Sequence, residues 1–228
     1  MKFTTSLFAL AIVLASGTHA FSGKNCKIMP LGASITYGVG STDGNGYRAH
    51  LYGRLANDGN TVDMVGSQKG GNFSDPDNEG YPGFILSQVD AKAIANTAVY
   101  QPNICTLLAG TNDMTGNIDL AGAPGRISQV IGDVLNVWEG LTMVVVATLP
   151  PNGNGDANVR IDAFNAALPS VVKSWTDQGR WVVLADIHSV VAVGDLVDGT
   201  HPNDAAFERM AAVFYDAIKV GEANGWLP

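Results

Sequence analysis

Two segments of the chain are apolar at every successive position, and this limits the folds open to it. "TMVVVATL" (Thr142–Leu149) and "WVVLAD" (Trp181–Asp186) show no alternation of apolar and polar residues. A strand with one wet face alternates, whereas a strand in a parallel sheet covered on both faces does not. Five such strands are expected, at Cys26–Leu31, Thr61–Gly66, Asn103–Ala109, Leu141–Leu149 and Arg180–Ile187. Helical patterns lie between them at Tyr47–Asp58, Phe84–Tyr100, Ala123–Glu139, Asn158–Gln178 and Asn203–Asn224. Gly140 should stop the third, Pro169 should kink or split the fourth, and Asn203 should cap the fifth. Alternation of this kind implies an α/β protein, a three-layer α/β/α sandwich around about five parallel strands.

The 228 residues suffice for one such domain, and 46% hydrophobic with 15% charged residues fits a folded chain. The first twenty residues carry Lys2, a short apolar run and small residues up to Ala20. That is the pattern of a secretory signal peptide, so 1–20 is read as a leader and 21–228 as one domain, secreted and extracellular. The apolar run is too short to span a bilayer. A net charge of −8 argues against nucleic-acid and anionic-membrane partners. In an oxidising compartment Cys26 and Cys105, both near strand starts, could form a disulfide; two buried free thiols are the equal alternative. Asn72-Phe73-Ser74 is a glycosylation sequon. The stretch Ser67–Pro82 reads as a long polar loop. Its acids Asp75, Asp77 and Glu79 do not follow calcium-loop spacing, and a solvated loop is expected. No metal or cofactor is expected.

Ligands of open α/β sheets bind beyond the carboxyl ends of the strands. Three polar turns should open there: Gly32-Ala33-Ser34, "AGTNDMTG" (Ala109–Gly116) and "DLVDGTHPND" (Asp195–Asp204). Serine becomes a nucleophile when a base takes its proton and a third group fixes that base. His201 with Asp198 three residues earlier supplies such a pair for Ser34. His188 is the reserve base, and His50 lies inside a helix, where a structural role is the default. Donors for a developing oxyanion are available from Ser34 N–H, the Asn112 side chain and Gly83 N–H. Read blandly, Asn112 and Asp113 are turn formers and Gly83 serves backbone conformation. The G-x-S-x-G elbow, the Walker A loop, H-E-x-x-H and a helix-opening G-x-G-x-x-G are all missing.

Gly32-Ala33-Ser34-Ile35-Thr36, Gly110-Thr111-Asn112-Asp113 and Asp198-Gly199-Thr200-His201-Pro202 together resemble, in order, three blocks of the SGNH (GDSL-type) hydrolases. "KIMPLGASITYG" and "EGYPGFI" (Glu79–Ile85) are similar to carbohydrate esterase family 3, known chiefly for acetylxylan esterases. The resemblance implies a flavodoxin-like sheet, a triad of Ser34, His201 and Asp198, an oxyanion hole of Ser34, Gly83 and Asn112, and no metal. It implies a serine esterase that deacetylates plant cell-wall polysaccharide or oligosaccharide. A monomer is expected. Gly83 is the least secure transfer, because Gly80 precedes it in the same block. Ala33 departs from the family, which has aspartate before the serine. A lipase or lysophospholipase is the nearest competing reading, and an idle glycan-binding protein is the competitor from another class.

Overall fold

A computed structural model describes residues 21–138 and 142–227. The expected leader 1–20, Gly140, and the flanking ends of its helix and strand at Glu139 and Leu141 lie outside the described residues. Five strands form the parallel core: β1 (Asn25–Gly32), β2 (Thr61–Met64), β5 (Ile104–Leu108), β6 (Met143–Ala147) and β7 (Val182–Ala185). Their order is β2-β1-β5-β6-β7, the flavodoxin-like arrangement, with every pairing parallel. All five residues of β5 and all five of β6 are buried, as unbroken apolar runs require of strands covered on both faces.

Helices α2 (Gly46–Asn57), α3 (Leu86–Tyr100), α5 (Ala123–Asn136), α6 (Gly155–Thr176) and α7 (Asp204–Ala223) fall on the expected patterns. Two short helices, α1 (Ser34–Tyr37) and α4 (Thr111–Thr115), come directly after β1 and β5. Asn203 caps α7, accepting the N–H of Ala206 at 2.9 Å. Pro169 does not split α6, which runs through it. Pro169 is exposed, while Ile161, Phe164 and Leu168 of the same helix stay buried. Among the described residues no helix is long and apolar enough to cross a membrane.

One sequence expectation is corrected, and one open alternative is decided. The stretch Ser67–Pro82 is not a solvated loop. It holds β3 (Gln68–Lys69) and β4 (Asp77–Gly80), antiparallel to each other, and β4 pairs in parallel with the carboxyl half of β1 through Leu31↔Glu79 and Gly32↔Gly80. Asn78 and Glu79 are fully buried and satisfied by hydrogen bonds rather than by apolar contact. The disulfide is not formed: Cys26 and Cys105 are both buried free thiols. Cys105 stands in register with Met29, three residues along β1 from Cys26. That offset is about 10 Å, and an odd offset puts the two side chains on opposite faces of the sheet.

Candidate active site

Gly32 of β1 is in register with Leu108 of β5 on one side and Gly80 of β4 on the other. The three strands therefore end side by side, and the turns that leave them open onto one edge of the sheet. A Cβ on Gly32 would collide with the Leu108 carbonyl and the Thr36 hydroxyl, so glycine is required here for close approach. The chain then turns into α1 and presents Ser34 at its first position. Gly38, at φ 102°, ends this single turn, and the carbonyls of Ser34 and Ile35 accept its N–H.

The loop before α7 brings the remaining groups. Val197 N–H donates to the His201 carbonyl, and Leu196 bridges Pro202, so the segment between them closes on itself. Within it, Oδ1 of Asp198 accepts the N–H groups of Thr200 at 3.0 Å and His201 at 2.9 Å. Oδ2 of Asp198 faces His201 Nδ1 at 2.7 Å, and His201 Nε2 faces Ser34 Oγ at 2.8 Å. An ionised carboxylate only accepts, so Nδ1 carries the ring proton and donates it in a hydrogen bond to Asp198, which leaves Nε2 as the acceptor for the serine hydroxyl. Partial burial pushes the Asp198 carboxyl up, but the hydrogen bonds from His201 and Thr200 outweigh it and hold the group at about 2. His188 is not paired with Ser34. It hydrogen-bonds the Leu149 carbonyl through Nδ1 at 2.9 Å and lies beside Asp162. His50 is exposed on α2.

Asn112 lies in α4, immediately beyond β5, and donates to the Phe84 carbonyl at 2.8 Å. One of its two amide protons remains for a ligand. Phe84 closes a turn on Tyr81, and inside that turn Gly83 has φ +87°. Among the described residues the N–H groups of Gly83 and Ser34 have no acceptor. Gly80 does not compete: its N–H is taken by Asn78 Oδ1 at 2.9 Å, and it is packed against Tyr37. Asp113 is more than a turn former. Fully buried, it accepts Leu86 N–H at 2.9 Å and pairs with Arg126 at 3.1 Å, which ties the Gly83 turn to α4.

The other supports left no readable signal in the sequence. Arg48 is fully buried in α2 and donates to four carbonyls: Tyr37 at 2.8 Å, Gly44 at 3.0 Å, Gly70 at 2.9 Å and Pro76 at 2.9 Å. It thereby ties the β3–β4 segment to the end of α1. Asn152 donates to the Thr200 hydroxyl at 3.1 Å, and Gly153 N–H donates to the Gly199 carbonyl at 2.7 Å, steadying the His201 loop from the β6–α6 connection. The acids of the long loop are committed to protein donors: Asp75 to Met64 N–H, Asp77 to Lys69, and Glu79 to Ser67 N–H, Tyr81 and Asn96. Among the described residues no group of His, Cys, Asp and Glu could hold a metal ion. Asn72 is exposed. An apolar pocket of about 180 Å³, lined by Met114, Leu120, Pro124, Val159 and Phe164, lies between α4 and α6.

Residues 31–209 match the GDSL-like lipase/acylhydrolase family. A multidomain esterase of Ruminococcus flavefaciens is 30% identical across 94% of this chain, and this chain spans only 31% of that protein's length. Among solved structures, a family 3 carbohydrate esterase of Clostridium thermocellum superposes with a TM-score of 0.78 at 27% identity, covering 88% of this chain and 98% of its own. A carbohydrate esterase family 3 protein from Talaromyces cellulolyticus gives 0.74 at 23% identity, covering 86% and 97%. The acetylxylan esterase Axe2 of Geobacillus stearothermophilus gives 0.63 at 17%, covering 86% and 94%. The last two likenesses concern the fold.

Proposed function

The chain belongs to the GDSL-like lipase/acylhydrolase family, a family of carboxylic ester hydrolases, and we propose that this member is a secreted serine esterase that removes acetyl groups from plant cell-wall polysaccharide such as xylan. The observation that carries the reading is the unbroken relay from Asp198 through His201 to Ser34, with bonds of 2.7 Å and 2.8 Å. The carbohydrate substrate draws on the family 3 carbohydrate esterase from Clostridium thermocellum, ester hydrolysis on the esterase from Ruminococcus flavefaciens as well, and the acetyl group on the resemblance of the sequence blocks to carbohydrate esterase family 3. The leader-like 1–20 segment supports an extracellular destination.

In this reading Ser34 Oγ attacks the acetyl carbonyl while its proton passes to His201 Nε2. The carbonyl oxygen becomes an oxyanion and meets the unpaired N–H groups of Ser34 and Gly83 and the free amide proton of Asn112. The imidazolium, held by ionised Asp198, gives its proton to the sugar oxygen as the C–O bond breaks, and the sugar leaves with a free hydroxyl. Water then loses a proton to Nε2 and attacks the acetyl-Ser34 ester, and acetate leaves with the serine restored. Acetate release from acetylated xylan and hydrolysis of p-nitrophenyl acetate, compared between wild type and Ser34→Ala, test the assignment. Loss of at least roughly a thousandfold in kcat is expected, and an unchanged variant refutes it. The pocket between α4 and α6 favours a second reading, a lipase-type enzyme with a longer acyl chain seated on Met114 and Phe164. A rise in kcat/KM from acetyl to octanoyl esters decides for it, and a fall decides for the acetyl esterase.

A further inference from the structure

Ser34 and His201 stand on separate loops, 167 residues apart in the chain, and their reaction depends on a contact of 2.8 Å. A second fastening joins the same two loops. Asp204, the first residue of α7, sets both carboxylate oxygens on Thr42, in the loop that leaves α1. Oδ1 accepts the Thr42 N–H and Oδ2 accepts the Thr42 hydroxyl, each at 2.8 Å. Between Ser34 and Thr42 the loop lies against the histidine. Gly40, at φ +102°, is so close that a Cβ there would come within 2.6 Å of the Pro202 carbonyl and 2.7 Å of His201 Cβ.

An aspartate at the start of a helix ordinarily serves the helix. That does not account for Asp204. Asn203 makes the cap, through Ala206 N–H at 2.9 Å, while both oxygens of Asp204 reach outward to Thr42. Among the described residues Asp204 makes no salt bridge. Its interaction is therefore a forked latch across the gap between the nucleophile loop and the base loop. We propose that Asp204 and Thr42 are a positioning pair that holds Ser34 Oγ within hydrogen-bond reach of His201 Nε2, an inference that rests on the Ser34–His201–Asp198 triad.

A latch of this kind acts through geometry. Displacing a reacting group by about 1 Å costs on the order of a hundredfold in rate. The test measures kcat, KM and Tm with p-nitrophenyl acetate for Asp204→Ala, Asp204→Asn, Thr42→Val and the Thr42→Val/Asp204→Ala double variant, with Ser34→Ala as control. Asp204→Ala is expected to lower kcat by roughly tenfold to a hundredfold, with KM within about twofold of wild type. Asp204→Asn is expected to recover most of the loss, because its amide oxygen still accepts the Thr42 N–H and its amide nitrogen donates to the Thr42 hydroxyl. Thr42→Val keeps the backbone bond and the side-chain shape, and should lose a few-fold in kcat even if Asp204→Ala fails to fold. The double variant should be no worse than Asp204→Ala, as expected of partners in one contact.

Wild-type kcat in Asp204→Ala overturns the latch while leaving the triad standing, provided Ser34→Ala is inactive. An Asn variant as poor as the Ala variant also overturns it, since charge and not the forked contact would then matter. So do additive losses in the double variant. Retained activity in Ser34→Ala overturns the triad and the latch with it.

Discussion

Replacing Asp198 by asparagine changes one atom, and the structure dictates which way the new amide must face. Oδ1 of Asp198 receives two backbone N–H groups, from Thr200 and His201, at 3.0 and 2.9 Å. An amide turned the other way would point its NH2 at both donors and forfeit both bonds. The asparagine oxygen therefore stays at the Oδ1 position and the NH2 faces His201 Nδ1. A donor there forces Nδ1 to accept, the ring proton moves to Nε2, and Ser34 meets an N–H where it needs a base. Losing a charge-assisted hydrogen bond of the right polarity costs about 1.5–3 kcal/mol. The imidazolium formed during attack also loses its anion, an interaction of about 4 kcal/mol at an effective dielectric of 20. Asp198 is 52% exposed, which cuts that contribution to roughly half. The sum, about 3.5–5 kcal/mol, predicts a fall in kcat of roughly four-hundredfold to five-thousandfold.

KM for p-nitrophenyl acetate should stay within about threefold, because neither group forms part of the acyl site. A sharper outcome concerns Asp198→Ala. It makes a larger cut, yet it leaves the imidazole tautomer free, so the Asn variant should be no more active than the Ala variant. An Asn variant within about tenfold of wild type, or clearly better than Ala, refutes the proton assignment. The wild-type carboxyl sits at about 2 in the folded protein, below its ordinary range. Its contribution is thus fully present above about pH 4 and is lost only as pH falls through about 2. Loss of activity in mild acid is therefore not to be assigned to Asp198.

Two more carboxylates, one buried and one missing, give measurable outcomes. Burial, and then the neighbouring Asp133, push Asp90 up to about 6, so the folded state holds a proton that the unfolded chain releases near about pH 4, and stability falls as pH rises from about 4 to about 6. Asp90→Asn should raise Tm by a few degrees at about pH 8 and leave it unchanged at about pH 4, and equal shifts at both pH values in a melting assay would refute this. Ala33 precedes α1 without a side-chain cap, and Ala33→Asp would add a carboxylate directly before Ser34. The kcat for p-nitrophenyl acetate should stay within about tenfold of wild type, because Ala33 contributes no hydrogen bond to the relay of Ser34, His201 and Asp198, and a larger loss at unchanged Tm refutes this.

The parallel core was legible because β1, β5, β6 and β7 are short apolar runs and the helices between them are periodic. Strand β4 was not, since "DNEG" is made of residues that strands disfavour. It is held by register with β1 and by the hydrogen bonds of Asn78 and Glu79, which become visible only once Ser67, Tyr81 and Asn96 surround them. The meeting of Ser34, Asp198 and His201 was legible because their turns follow strands at one edge of the sheet and because three blocks, in order, resemble the SGNH hydrolases. The choice between a disulfide and two free thiols was not legible because nearness to strand starts says nothing of face, and face is set by register. Arg48, Asn152 and the Thr42–Asp204 pair escaped for a common reason: their partners are carbonyls, amides or hydroxyls distant in sequence, which no local pattern announces.

Arg48 carries a consequence for how substrate is met. One buried guanidinium serves carbonyls from two stretches of chain, Tyr37 and Gly44 on one and Gly70 and Pro76 on the other. Moving either stretch would strand a buried cation or leave carbonyls unpaired, each at a cost of several kcal/mol. The rim beside Ser34 is accordingly built like masonry, finished when the chain folds. A group that approaches Ser34 from this side therefore meets a rim that does not have to be ordered before it can bind.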